Sequence, residues 1–162
     1  MKSRVQMRKE RFLAEIKAIL PKGWKVSISY PYGRYVAKVT VPYAVADLLQ
    51  VGKRIAYKGW EYKVNAGSQI EVNQYRIKEQ FNNSEKGLEL AKVSQAITDI
   101  FNSEMVAVWN ESDQVYDRDF YYSIVLVPSK VAVEESNLDK IVYSAVEIEE
   151  GYYVNAVNFT FK

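Results

Sequence analysis

The chain has 162 residues, 48% of them apolar, with 22 Lys and Arg against 20 Asp and Glu, 13 Tyr, and neither Cys nor His. That length supports one domain or two very small ones with a real hydrophobic core. The missing side chains exclude an imidazole base, a Ser-His-Asp triad, a thiolate nucleophile, disulfides, and metals held by His or Cys.

Lys2, Arg4, Arg8, Lys9 and Arg11 make the first residues basic, but no apolar core follows them, so no signal peptide is read. No run approaches the roughly 18 apolar residues of a spanning helix, and the expected setting is cytoplasmic, without a membrane partner. Ser3 with Gln6 resembles a capping box, and Val5, Phe12, Ile16, Ile19 and Leu20 recur at helical spacing until Pro21-Lys22-Gly23 ends the run. Next, Trp24, Val26, Ile28 and Tyr30 alternate with Lys25, Ser27 and Ser29, and Ala37, Val39 and Val41 alternate with Val36, Lys38 and Thr40. This predicts a half-buried antiparallel pair around the turn Tyr30-Pro31-Tyr32-Gly33. A second hairpin is expected from Ile55–Tyr57 and Trp60–Val64 around Lys58-Gly59, then a strand over Ile70–Ile77.

Beyond the polar stretch Glu79–Ser84 the order returns. Ser84 is placed to cap a helix carrying Leu90, Val93, Ile97, Ile100 and Phe101, and strands are expected over Met105–Trp109, Tyr121–Val127, Ile141–Ile148 and Tyr152–Phe161. A shift of 86 residues lays Tyr35–Pro42 on Tyr121–Pro128, and nine of 27 positions from 35 to 61 are identical. Composition alone gives about two matches, so the expected fold is α+β by internal duplication: a helix and about four antiparallel strands, twice, related by a pseudo-twofold. The units are 1–83 and 84–162, separate or packed as one domain. Tyr121–Val127 is apolar on both faces, which fits a strand buried between the two halves better than a strand left open as a contact surface.

Charge divides at the same boundary. Residues 1–83 hold 16 Lys and Arg against 6 Asp and Glu, and residues 84–162 hold 6 against 14. Such asymmetry speaks to partners, although the halves also attract each other. In the basic half Tyr32, Arg34, Lys38, Arg54, Lys58 and Arg76 mix cations with aromatics, the combination that neutralises phosphates and stacks on unpaired bases. In the acidic half Glu111, Asp113, Asp117 and Asp119 share one expected loop, read as a surface offered to a basic protein site. The spacing matches no EF-hand, and neither a metal nor a cofactor is expected. Asp47 with Glu61 and Lys63 is the nearest approach to a metal-dependent nuclease pattern, a weak one.

The sequence thus favours a non-enzymatic binding protein, an inhibitor or adaptor docked on a larger protein or protein–nucleic-acid complex, a profile that fits inhibitors carried by phages and other mobile elements. Nucleic-acid binding through residues 1–83 is the alternative, and a nuclease the remote one. The two-faced strand and the opposite charges also allow a homodimer.

Overall fold

Side chains four residues apart on the first helix close over one stripe, and Phe12 and Ile16 there are fully enclosed. Its start is set by Ser3, whose Oγ accepts from the Gln6 N–H at 3.1 Å. A computed structural model describes residues 1–49, 55–56 and 61–162. In chain order the elements are α1 (Arg4–Ile19), β1 (Lys25–Ser29), β2 (Arg34–Val41), β3 (Ile55–Ala56), β4 (Glu61–Asn65), β5 (Ile70–Glu71), α2 (Ile77–Gln80), α3 (Glu85–Glu104), β6 (Ala107–Asn110), β7 (Val115–Arg118), β8 (Tyr121–Pro128), α4 (Lys130–Glu135), β9 (Leu138–Glu149) and β10 (Tyr152–Phe161). The fold is α+β.

One sheet runs β1-β2-β8-β5 and a second runs β3-β10-β9-β4, so each takes strands from both halves of the chain. The helices α1 and α3 pack on each other and on the same face of the first sheet. Between them lies an aromatic core. Phe12 meets Phe101 at 4.8 Å and Tyr35 at 5.3 Å, and Phe101 stacks on Tyr122 at 4.5 Å between ring centroids. Each large side chain enclosed there contributes about 1.5–3 kcal/mol of burial. A smaller core of Ala46, Val64, Ala66, Leu138 and Ile141 joins the second sheet to the loop after β2.

Several expectations change. The strands β2 and β8 pair in parallel, Tyr35 beside Tyr122 and Val39 beside Leu126, because the chain between them includes α3 and can return to the same end of the sheet. Both strands turn their register-paired residues toward the helices, Tyr35 with Tyr122, Ala37 with Ile124 and Val39 with Leu126. A twofold relating neighbouring strands would reverse either direction or face, so no twofold relates this pair. The 86-residue shift also lays buried Tyr35 on exposed Tyr121, one residue out of phase with the sheet.

The hairpin expected around Lys58-Gly59 is not formed by β3 and β4. These pair instead with β10 and β9, whose long hairpin occupies the centre of the sheet, and the turn itself lies outside the described residues. Ile70–Ile77 is a strand only over its first two residues. Asn73 then turns the chain, its Oδ1 accepting from the Tyr75 N–H at 3.1 Å, and Ile77 opens α2. Finally, β8 is covered by helices on one face only. Tyr121 is exposed and Ser123, Val125 and Val127 are half-buried on the other, where burial between the halves was expected.

Candidate functional site

Residues 107–118, expected as a short strand and an acidic loop, form a two-stranded ribbon. Its base is fixed by Asp119. The Asp119 Oδ1 accepts from the Val106 N–H at 2.7 Å, and Oδ2 accepts from Arg8 Nη2 at 2.7 Å. Both side chains of this ion pair are more than nine-tenths enclosed, and the Arg8 guanidinium also lies 4.8 Å from the centre of the Phe120 ring. Burial raises the Asp119 pKa, but the Val106 N–H and Arg8 outweigh it and hold the carboxyl below its ordinary value. Asp119 is therefore engaged inward, tying the ribbon to α1, and is set apart from the three other carboxylates grouped with it in the sequence.

Above that base nearly everything faces solvent. All of β7 and the first three residues of β6 are exposed. The register pairs Trp109 with Tyr116 and Ala107 with Arg118, so these four share one face. Trp109 and Tyr116, 46% and 71% exposed, meet edge to face at 5.1 Å. Arg118 Nη2 donates to the Tyr75 Oη at 3.0 Å, which brings a further aromatic residue, 74% exposed, alongside. The other face carries Val108 and Val115 with Asn110, whose Nδ2 donates to Asp117 at 2.7 Å. Glu111 and Asp113 occupy the exposed tip, where Gln114 takes a positive φ of 53° to close the turn.

The residues expected to bind nucleic acid are divided. Tyr32, Arg34 and Lys38 are exposed in and beside β2, on or near the sheet face that the helices leave open. Arg76 lies away from that face at the start of α2, paired with Glu79 at 3.0 Å. Arg54 and Lys58 lie outside the described residues. Sequence reasoning missed Tyr121, directly beside Arg34 in the parallel register, and, on the separate ribbon, Trp109, Tyr116 and Arg118.

Asp47 lies on a cleft of about 440 Å³ between the loop after β2 and the α4–β9 connection, with Tyr43, Lys86, Glu135, Asn137 and Phe161. Its Oδ1 is buried with no hydrogen-bond partner, and burial pushes the carboxyl pKa up. Tyr43 donates to Glu89 at 2.8 Å, with Lys86 5.1 Å from the Tyr43 ring centre. Lys63 is exposed on β4, and the position of the Glu61 side chain is not described. Among the described residues no three carboxylates come close enough to share an ion, and no helix is long and apolar enough to cross a membrane. No family profile, curated protein or solved structure matches the chain.

Proposed function

We propose that the chain is a non-enzymatic cytoplasmic binding protein, an inhibitor or adaptor that docks on a larger protein or protein–nucleic-acid complex through the β6–β7 ribbon. The observation that carries this reading is the exposed ladder of Trp109, Tyr116 and Arg118 on a ribbon that almost nothing else covers. Trp, Tyr and Arg are the side chains that dominate binding energy at protein interfaces, because they bring large rigid area and a charge that needs little reorganisation. Solvent exposure of such a ladder leaves apolar area to be removed from water by a partner. Glu111, Asp113 and Asp117 around it favour a partner with an apolar slot rimmed by Lys and Arg. A common origin of the two halves is supported by the elements they share in order: a helix, a long strand ending at Val41 or Pro128, a short helical turn, and further strands.

The test is quantitative capture of proteins from a lysate by the full chain and by two variants, Trp109→Ala with Tyr116→Ala, and Glu111→Gln with Asp113→Asn and Asp117→Asn. The expected result is a protein held by the original chain and lost with the aromatic variant, at a cost of about 2 kcal/mol or more. Removing the carboxylates should weaken capture mainly at low salt. Equal capture of the same proteins by all three chains would overturn the proposal.

A further inference from the structure

The first sheet buries one face under α1 and α3 and leaves the other in water. On that open face β1 presents Lys25, Ser27 and Ser29, β2 presents Arg34, Val36, Lys38 and Thr40, and β8 presents Tyr121, Ser123, Val125 and Val127. Lys38 lies opposite Ser27 on one side and Val125 on the other, and Lys25 lies opposite Thr40, so the cations run diagonally across neighbouring strands. Arg34 and Lys38, four positions apart on one strand, are separated by about 13 Å.

We propose that this open face binds single-stranded nucleic acid, with Lys25, Arg34 and Lys38 on phosphates and Tyr32 and Tyr121 stacked on bases. Among the described residues none of the three cations has a carboxylate within ion-pair distance. The charge of Arg34 is oriented without being neutralised, since its Nη1 donates to a neutral group, the Ser123 Oγ, at 2.9 Å. Glu71, at the far edge on β5, is the carboxylate nearest in register. The face is therefore a positive field on a flat, half-apolar ground, complementary to a phosphate backbone.

The aromatic groups decide between occupants. Tyr121 is 53% exposed beside Arg34, and Tyr32 is fully exposed at the end of the same strand, held outward by a left-handed backbone with φ 53°. An unpaired base offers each ring a face to stack on, at about 1–3 kcal/mol per base. A duplex offers phosphates alone to a flat surface, and an acidic peptide offers charge without planar rings, so either would leave both tyrosines idle. The site joins Arg34 and Lys38 of the basic half to Tyr121 of the acidic half, and it is distinct from the ribbon ladder.

Fluorescence polarisation with labelled oligo-dT and oligo-U of about twelve nucleotides tests the proposal. A duplex of the same length and an oligoglutamate peptide are measured alongside. Both single strands should bind more tightly than the duplex or the peptide, with affinity falling as salt rises. Arg34→Gln with Lys38→Gln should weaken binding about tenfold at low salt and reduce the slope of log K against log salt by about 1.4, two single-strand phosphate contacts at about 0.7 each. Tyr121→Ala should weaken binding while Tyr121→Phe restores it, because stacking needs the ring and not the hydroxyl. Trp109→Ala should leave oligonucleotide binding unchanged, which keeps this result separate from the fate of the ribbon proposal. Absence of single-strand binding at low salt, tighter binding of the duplex or of oligoglutamate, or indifference to the Arg34 and Lys38 changes would each overturn it.

Discussion

Asp119 is nearly closed off from solvent between Arg8 and the Val106 N–H, so replacing it leaves a guanidinium buried without a counter-charge. Asp119→Asn should cost about 3 kcal/mol of unfolding free energy in a urea titration at neutral pH. Arg4, reaching the same carboxylate at 3.4 Å from an exposed position, contributes little by comparison. Because the folded pKa of Asp119 is depressed, its stabilisation is present above the unfolded value near pH 4 and is lost as pH falls through the folded one. Asp47 carries the opposite sign. Burial raises its folded pKa, so its effect on stability is most favourable below the unfolded value and declines as pH rises through the folded one. Asp47→Asn should therefore raise the thermal midpoint at pH 7 and change it least near pH 3. A lowered midpoint at pH 7 would show that the buried Oδ1 is serving an interaction and not merely suffering desolvation.

Between residue and sheet, the start of α3 is held by the turn that precedes it. Ser84 Oγ accepts from the Gly87 N–H at 3.1 Å, while Asn82 Oδ1 accepts from the Ser84 N–H at 3.1 Å. A Cβ on Gly87 would collide with the Asn82 backbone carbonyl and side-chain Oδ1. In an open helix Gly→Ala stabilises by about 1 kcal/mol; at this position it should destabilise by about 1–3 kcal/mol, read as a lower urea midpoint with unchanged slope. The cap at Ser84 and the stripe Leu90, Val93, Ile97 and Phe101 were legible in the sequence, because helix signals repeat within a few turns. The ribbon was not. Val115–Arg118 has solvent on both faces, so no alternation of apolar and polar residues marks it, and its carboxylates suggested a loop. The available signal was local: the turn-forming Asn110 and Asp113 between Val108-Trp109 and Val115-Tyr116. Tyr121 could not be placed beside Arg34 from sequence, since their contact depends on a parallel pairing across 87 positions.

At the scale of the whole molecule, the opposed charges of the two halves are partly spent on each other. Arg4 and Arg8 meet Asp119, and Arg11 meets Glu104 at 3.2 Å, so much of the basic character of α1 is met within the fold, whereas Lys25, Arg34 and Lys38 remain open. The backbone is interleaved more tightly still. Residues 1–83 alone would hold β2 without β8 along its edge and α1 without α3, leaving Phe12 and Tyr35 without the rings of Phe101, Phe120 and Tyr122. Residues 84–162 alone would lack β2 beside β8, and β4 beside β9. A fragment in which β3, β4 and β5, or β8, lose every strand partner rarely buries enough area to offset about 1–2 kcal/mol of backbone entropy per ordered residue. Neither fragment should therefore show a cooperative thermal transition on its own, and mixing them in equal amounts should recover both the transition and the near-ultraviolet circular dichroism of packed aromatic rings. Cooperative melting of residues 1–83 by themselves would show that the β2–β8 pairing is an association between finished units, and would make the charge boundary near residue 83 a boundary of folding as well.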